Sequence, residues 1–291
     1  MRRTIFLGVF ASVLLCAGIG RAAGQSSYTA DHSKQLNSAT AWAELPEMPQ
    51  RAGWQYWTHA QLPSNNKLRN YSFCFDTEKH CALWVAYPMH ECYLGEADRT
   101  NAWSFDPHCV ADSDEPNLKN AYYPQNGTSY SHARGHQLPS ADRTASVEDN
   151  ATTFYFSNMT PQLQSLNGAT WAAMEAAVRK WVCSDTLYVV TGAHFDRGHG
   201  VAYDKKGMGK ACAVPTHYYK VLLRTKSGQT GKSVRNCSAA ELQCIGFWFD
   251  HAAKAPRQAM SVSEIERRTG HTFFRSIPQA PKTSFSEADW R

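Results

Sequence analysis

Short runs of aromatic and β-branched residues recur along the chain and predict the strands of a sheet. The runs occupy residues 82–87, 153–156, 187–191, 218–223 and 244–249. Two other stretches have the periodicity of helices. Because strands and helices do not alternate regularly, we expect an α+β domain with a mixed or antiparallel sheet rather than a doubly wound parallel sheet.

The stronger helical pattern covers residues 168–182, where apolar side chains recur every three or four residues and share one face. The residues of this face are Trp171, Met174, Val178 and Trp181. A second helix is predicted to begin at Ser261, which stands three residues before Glu264 as in a capping box, and to end at Gly270.

The first 24 residues differ from the rest of the chain. Two arginines precede an apolar run at residues 5–19, and small residues follow at 22–24. This order is typical of a secretory signal peptide, and the run is shorter than the roughly 20 residues that span a bilayer. A membrane anchor and lipid attachment at Cys16 are weaker alternatives. We therefore expect a secreted or periplasmic protein with no membrane span in the mature chain.

The remainder divides into a polar N-terminal lead-in, residues 25–50, and a single domain, residues 51–291, without repeats or a long linker. Removal of residues 1–24 deletes three arginines and no acidic residue, so the net charge falls from +5 to +2. Such a mild charge does not identify a nucleic-acid-binding protein by composition. Any function must therefore be read from a site.

Eight cysteines remain after the signal peptide, an even number that suits an oxidising compartment and predicts up to four disulfide bonds. The paired spacings typical of zinc sites do not occur in the sequence. We expect sequence neighbours to pair, as Cys74–Cys81, Cys92–Cys109, Cys183–Cys212 and Cys237–Cys244.

The sequence Arg134-Gly135-His136 indicates phosphate chemistry. Glycine lets the backbone turn tightly beside a bulky anion, an arginine forks onto phosphate oxygens, and a neutral histidine takes a proton from water. Alone, this tripeptide is weak evidence, because it arises by chance and a loop histidine is more often a plain surface residue.

The following residues strengthen the hypothesis. A polar turn, residues 157–162, comes after a strand-like run, and Asn167 stands just before the helix that carries Glu175 and Arg179. The last two are four residues apart and lie side by side at the edge of the apolar stripe. Each has a plainer explanation, because Asn167 could only cap the helix and the charged pair could be a surface ion pair.

In order and spacing these motifs resemble the DNA/RNA non-specific endonuclease family of the ββα-metal nucleases. The resemblance covers nearly all of the mature chain, since residues 187–192 are similar to a Val-Val-Thr-Gly strand and residues 261–274 to the C-terminal helix. It implies one domain with a central sheet flanked by helices. It also implies magnesium-dependent hydrolysis of phosphodiester bonds in DNA and RNA, without strong sequence preference, leaving 5′-phosphate ends.

The resemblance implies roles for three residues at the reacting centre. His136 would be the general base that activates water. Asn167 would be the direct protein ligand of Mg²⁺, for which Mn²⁺ would substitute, with water and phosphate oxygens completing the octahedron. Glu175 would hold the same ion through water.

Four further residues receive roles by resemblance. Arg134 and Arg179 would bind the substrate and neutralise charge on the scissile phosphate. Asn158 would support the catalytic site, and Gln162 would contact the site or the substrate.

Two features depart from the family pattern. Ala133 stands where the family has an aspartate before Arg-Gly-His, which leaves open a catalytically degenerate nucleic-acid-binding protein on the same scaffold. Arg99 precedes Trp103 and the Asp106–Pro107 dipeptide but is displaced from the family's upstream arginine, so we leave it out of the predicted site.

A second copy of the signature, Asp196-Arg197-Gly198-His199, carries the aspartate that the first copy lacks. It follows the predicted helix instead of preceding it, and the asparagine after it, Asn236, has Cys244 eight residues further on instead of a glutamate. We therefore expect a polar loop near the rim of the active site and place the catalytic base at His136.

Overall fold

The computed structural model describes residues 42–107, 114–125, 129–207 and 209–290. The predicted signal peptide, residues 1–24, lies outside the described residues. The described end of the lead-in, residues 42–50, contains no helix or strand, yet Leu45 and Met48 are buried in the core.

Most of the described strands belong to one antiparallel sheet of seven strands, in the order β1-β2-β3-β6-β9-β10-β11. Strands β4 and β5 form a separate antiparallel pair, as do β7 and β8. The bounds are β1 Trp54–His59, β2 Tyr71–Asp76, β3 Cys81–Met89, β4 Ala133–His136, β5 Met159–Gln162, β6 Leu187–His194, β7 Val201–Tyr203, β8 Ala211–Ala213, β9 His217–Thr225, β10 Leu242–Asp250 and β11 Gln258–Met260.

The helices are short, and within the described residues none is long and apolar enough to cross a membrane. Their bounds are α1 Val147–Thr152, α2 Gln164–Leu166, α3 Ala172–Lys180 and α4 Val262–Thr269. A π-helical turn, Asn167–Trp171, joins α2 to α3. The helix predicted at 168–182 therefore begins four residues earlier and contains a wider turn.

Both faces of the sheet are covered, because side chains that alternate along each strand enter two different core clusters. On β9, for example, Tyr219 and Val221 lie in one cluster while Tyr218 and Leu222 lie in the other. Helix α4 covers the first face, and α3 with the preceding π turn covers the second. Burial on both sides explains why the central strands are nearly continuous apolar runs without polar alternation.

The α+β architecture and the antiparallel alternative for the sheet are confirmed. Four predicted strands lie within β3, β6, β9 and β10. The strand predicted at 153–156 is wrong, since a turn leads there into a 3₁₀ helix, Phe156–Asn158. The rings of Phe154 and Phe156 pack edge-on against Trp103 and Phe105. Aromatic residues in this run therefore indicate burial, not an extended strand.

The predicted ends of α4 are confirmed. The Ser261 hydroxyl oxygen accepts a hydrogen bond of 3.2 Å from the Glu264 N–H, and Gly270 ends the helix at φ 71°. The Glu264 carboxylate does not close a reciprocal capping box, because it binds Arg267 and Arg268 instead. The sequence therefore specifies both ends of this helix through local chemistry.

The structure contradicts the disulfide bonds predicted among the described cysteines. All seven described cysteines are free thiols, and Cys109 lies outside the described residues. Cys74 lies opposite Trp84 in the β2–β3 register, not opposite Cys81. The thiols of Cys183 and Cys212 donate to different backbone carbonyl oxygens. The Cys237 thiol donates to the Ser233 carbonyl oxygen, and Cys244 lies on β10 in the same core cluster as Cys237. Burial raises the pKa of Cys74 and Cys212, so these thiols stay protonated.

Candidate active site

The strand pair β4–β5 brings Arg134 and His136 to one side of the backbone. Residues 133–136 form a strand, not the expected loop, with Arg134 opposite Pro161 and His136 opposite Met159. Since side chains alternate along a strand, Arg134 and His136 share one side while Gly135 faces the other. The Arg-x-His spacing is therefore the spacing that extended backbone requires.

Gly135 is needed for close packing, not for the tight turn that the sequence suggested. A Cβ atom at this position would lie 2.6 Å from the Gln162 Cβ. Gln162 itself is fully buried, and neither atom of its amide has a hydrogen-bond partner within the described residues. The Gln162 side chain thus packs beneath β4, and its contact with the site or the substrate stays a prediction.

We expect Gly135→Ala to lower the free energy of unfolding by about 1–3 kcal/mol, because the new methyl group overpacks the contact with Gln162. Urea denaturation measures the change. Gly200→Ala is the matched control, since a Cβ there meets only Val214 at 3.9 Å, an ordinary contact. Equal stability of the two variants would contradict the packing explanation.

His136 is a buried imidazole with one unused nitrogen. It is 9% exposed, and its ring lies edge-on to Trp103 and Phe154, at centroid distances of 5.5 and 5.1 Å. Burial and the positive charge of Arg99 lower the pKa of His136 to about 3, although a hydrogen bond with the Arg134 backbone acts in the opposite direction. Nε2 has no partner among the described residues. The ring is therefore neutral, with an acceptor available for a proton.

This burial makes stability depend on pH. Between pH 7 and pH 5 the unfolded histidine, with an ordinary pKa of about 6.5, takes up a proton while folded His136 does not, so acid favours unfolding by about 2 kcal/mol. Other buried histidines add to the loss in the wild type, so we expect His136→Gln to lose about 2 kcal/mol less than the wild type over that range. Urea denaturation at both pH values in EDTA measures the difference. Equal losses in the two proteins would contradict the neutral, buried state.

Arg134 is held in place by groups at one end of its guanidinium. Nη1 donates to the carbonyl oxygens of Leu118, at 2.9 Å, and Lys119, at 2.8 Å. The guanidinium carbon lies 3.5 Å from the centre of the Trp103 ring, in a cation–π contact. The remaining N–H groups have no protein acceptor among the described residues and border a cleft of about 480 Å³. The fork is thus arranged for an anion in that cleft.

Asn167 borders the same cleft from the π-helical turn. Its backbone is helical, at φ −54° and ψ −49°, and its side chain makes no capping hydrogen bond, so the explanation of Asn167 as a helix cap is wrong. The segment before it is fixed by His251, whose Nε2 accepts a 2.8 Å hydrogen bond from the Leu163 N–H. The π turn is a conformation often found at functional sites.

The residues present fit a divalent metal ion that keeps most of its water. The described residues contain no group of three or more His, Cys, Asp or Glu side chains able to enclose an ion. Asn167 offers an uncommitted amide oxygen, and the Glu175 carboxylate lies on the helix that continues from it. Hard oxygen donors in small number are the donor set with which Mg²⁺ is usually held in proteins.

Glu175 is a half-buried carboxylate whose pKa responds to neighbouring charges. Burial raises the pKa of Glu175, while the ammonium of Lys220 acts to lower it. Burial also lowers the pKa of Lys220, whose Nζ donates a 2.7 Å hydrogen bond to Thr191. The surface ion pair considered between Glu175 and Arg179 is wrong, because Arg179 Nη1 binds the buried carboxylate of Asp142 at 2.9 Å. Arg179 is therefore already charge-compensated by the protein.

Arg99 belongs to the site although sequence reasoning left it out. It borders the cleft, and Nη1 donates a 2.7 Å hydrogen bond to Ser140. Its charge adds to burial in lowering the pKa of His136. Burial lowers the pKa of Arg99 itself, and the carboxylate of Glu175 acts in the opposite direction. One guanidinium thus lies within electrostatic reach of both residues. The position of Arg99 upstream of Trp103 is the signal in the sequence that indicates this role. Arg99 is displaced from the position of the family's upstream arginine, and for that reason it is not among the site residues predicted from the sequence.

Asn158 lies behind the site, not in the cleft. It is fully buried, and its amide donates to the carbonyl oxygens of Leu138 and Thr153 while its own oxygen accepts from the Leu138 N–H. Gln137 N–H also donates to the backbone oxygen of Asn158. Asn158 therefore fixes the chain directly after His136.

The second Arg-Gly-His copy lies in a turn after β6 and does not border the cleft around Arg134. The Asp196 carboxylate lies 3.3 Å from both His194 Nε2 and His217 Nδ1. His199 Nδ1 lies 3.1 Å from the Gly200 carbonyl oxygen, with the ring edge-on to Phe195. This copy thus has a local set of contacts and shares none of the groups around His136.

Comparison with known proteins gives a consistent result. The family model for DNA/RNA non-specific endonucleases matches residues 56–280. A nuclease of Nostoc sp. is 29% identical over 233 residues, which cover 78% of this chain and 80% of the relative. A nuclease of Serratia marcescens is 31% identical over 235 residues, covering 78% and 77%. Human mitochondrial endonuclease G is 30% identical over 229 residues, covering 75% and 71%.

A solved structure has the same fold. A chain in the crystal structure of the EndoG/EndoGI complex superposes on 85% of this chain and 94% of its own length, with a TM-score of 0.55 and 19% sequence identity. Likeness at this identity concerns the architecture alone. Together with the antiparallel sheet and its flanking helices, it confirms the fold class expected from the sequence.

Proposed function

Because the chain belongs to the DNA/RNA non-specific endonuclease family, we propose that it is a magnesium-dependent hydrolase that cuts DNA and RNA without strong sequence preference. The observation that carries the proposal is the environment of His136. A neutral imidazole with an unpartnered Nε2 lies on the same side of β4 as Arg134, which presents free N–H groups to the cleft. This is the arrangement of a base beside an anion site.

In the proposed reaction, His136 Nε2 accepts a proton from the attacking water. The water oxygen forms a bond to phosphorus as the bond to the 3′ oxygen breaks, and the departing oxygen takes a proton from a solvent water. The products carry a 5′-phosphate and a 3′-hydroxyl group, and His136 then releases its proton to the solvent. Arg134 binds a phosphate oxygen that gains negative charge, and Arg99 adds a second positive charge near His136. Both cations act in a partly desolvated site, where electrostatic stabilisation is strongest.

Asn167 and Glu175 are the residues that would hold Mg²⁺, with Mn²⁺ as a substitute, Asn167 directly and Glu175 through water. The ion, when bound, supplies positive charge that stabilises the departing oxygen. Burial and the charge of Asp142 raise the pKa of Glu175, and the charge of Lys220 acts to lower it. Arg179 is paired with Asp142, so in this proposal it binds the Asp142 carboxylate and only the rest of its guanidinium is left to neutralise substrate charge.

Two supporting roles follow from burial. Asn158 holds the backbone after His136, and Gln162 packs against Gly135. Both are positioning residues in this proposal. We further propose that the protein acts outside the cytoplasm, as a secreted or periplasmic enzyme, because of the signal-peptide pattern of residues 1–24.

The alternative of a nucleic-acid-binding protein without catalysis rests on Ala133. A direct experiment decides between the two functions: plasmid DNA and a structured RNA are incubated with the purified protein, with Mg²⁺ or with excess EDTA. We expect both nucleic acids to be degraded with Mg²⁺ and to remain intact with EDTA. Retarded but uncut nucleic acid in both conditions would favour the binding protein, and full cleavage in EDTA would overturn the metal requirement.

A further inference from the structure

The fold leaves one aromatic side chain exposed at the cleft. Tyr130 is 66% exposed, and the other large hydrophobic residues exposed within the described part of the chain are two valines and Phe285. Of these four, Tyr130 borders the cleft shared by Arg134 and Asn167, whereas Phe285 borders a different depression of the surface. Tyr130 therefore places an open aromatic surface at the edge of the cleft, where a bound ligand can contact it.

The ring of Tyr130 rests on a fixed support. It packs against the ring of Tyr123 at a centroid distance of 5.2 Å and an angle of 42°. Tyr123 is buried, and its backbone exchanges hydrogen bonds of 2.8 and 2.7 Å with Tyr203. The residue after Tyr130, Ser131, donates a 3.0 Å hydrogen bond to the Tyr122 carbonyl oxygen. One side of the ring is therefore held by the protein while most of its surface stays open.

The chemistry of the cleft indicates what covers this surface. Arg134 and Arg99 supply positive charge for a phosphate, and a base attached to the same backbone lies within reach of a neighbouring aromatic ring. A base inside a duplex has both faces covered by its neighbours, whereas an unpaired base has a free face. Stacking on an aromatic side chain requires such a free face and tolerates any base.

We propose that Tyr130 forms a stacking subsite for an unpaired nucleobase beside the scissile phosphate, and that it gives the enzyme a preference for single-stranded nucleic acid. The inference rests on the proposed function, because it assumes that a phosphodiester occupies the Arg134 cleft. It adds to that function a class of substrate and a residue that selects it.

The first test compares Tyr130→Ala with the wild type on a labelled single-stranded oligonucleotide and on a hairpin duplex of the same sequence. We expect kcat/KM on the single strand to fall about tenfold or more, mainly through KM, and on the duplex by less than about twofold. Tyr130→Phe keeps the ring and should retain the preference. Phe285→Ala removes an exposed aromatic residue outside the cleft and should change neither substrate.

The second test identifies the stacked base. Bases of the oligonucleotide are replaced one at a time by abasic sites, and binding to His136→Ala, with or without Tyr130→Ala, is followed by fluorescence anisotropy. At one position the abasic site should weaken binding to the Tyr130 protein about as much as Tyr130→Ala does, with no further loss when both changes are combined.

Equal losses on single strand and duplex, or full additivity at every abasic position, would overturn the stacking subsite. An inactive wild type would overturn the proposed function instead, and the anisotropy measurements would still decide whether Tyr130 contacts a base.

Discussion

Replacing His136 with alanine is expected to lower the rate of DNA cleavage by about 10²- to 10⁴-fold, the range that a general base contributes. The physical reason is that Nε2 is the unpartnered acceptor beside Arg134, on a ring that burial keeps unprotonated at neutral pH. Initial rates on linear DNA at saturating Mg²⁺ measure the effect, with circular dichroism and thermal melting at pH 7.5 to show that the variant is folded.

His199→Ala is the matched control, because it removes the same side chain from the same Arg-Gly-His sequence. His199 contacts Gly200 and Phe195 in a turn outside the cleft, so we expect activity within about tenfold of the wild type, which is about 1.4 kcal/mol in barrier height. An inactive His199 variant beside an active His136 variant would place the active site in the other turn.

The sequence predicted the strands of the sheet unevenly, for a physical reason. Strands β3, β6, β9 and β10 are central and buried on both faces, so their sequences are apolar enough to be recognised. Strand β4, Ala133–His136, is short and polar, and it is a strand because it pairs with β5 some 26 residues later. A pairing of that kind depends on the tertiary structure and leaves no local pattern.

The sequence predicted the site residues that lie in motifs of fixed spacing. It did not predict their contacts with residues far away along the chain. Arg134, His136 and Asn167 occupy motifs with fixed spacing, and the structure places Arg134 and Asn167 on one cleft. The partners of the helix residues come from elsewhere in the chain. Asp142 lies 37 positions from Arg179, and Lys220 of β9 lies over the Trp171 ring and acts on the pKa of Glu175. No periodicity in the sequence indicates that Lys220 is buried.

The π-helical turn is another feature that the sequence did not predict. The amphipathic stripe predicts a regular helix from 168, and its apolar face is buried as expected. The wider turn at Asn167–Trp171 places Asn167 within the helical segment, at the border of the cleft, and not at a helix cap. The difference decides the chemistry of the residue, and it requires the backbone geometry to be known.

Removing the amide oxygen of Asn167 tests that chemistry. We expect Asn167→Ala to lower Mg²⁺-dependent cleavage by at least about 100-fold, since a lost metal contributes several kcal/mol of transition-state stabilisation. Asn167→Asp keeps an oxygen donor and should retain part of the activity and its dependence on Mg²⁺. Gln164→Ala is the matched control, because Gln164 borders the same cleft one turn earlier and has no predicted part in metal binding.

The measurement is cleavage rate against Mg²⁺ concentration for the three variants, together with thermal melting in EDTA. Because the Asn167 side chain makes no hydrogen bond within the described residues and its backbone bond to Gln164 survives the substitution, the melting temperature in EDTA should stay close to that of the wild type while activity is lost. A large drop in melting temperature with Mg²⁺ dependence unchanged would instead make Asn167 a structural residue. In that case the metal would have to be held without it, and the proposed arrangement of Asn167 and Glu175 around the ion would be wrong.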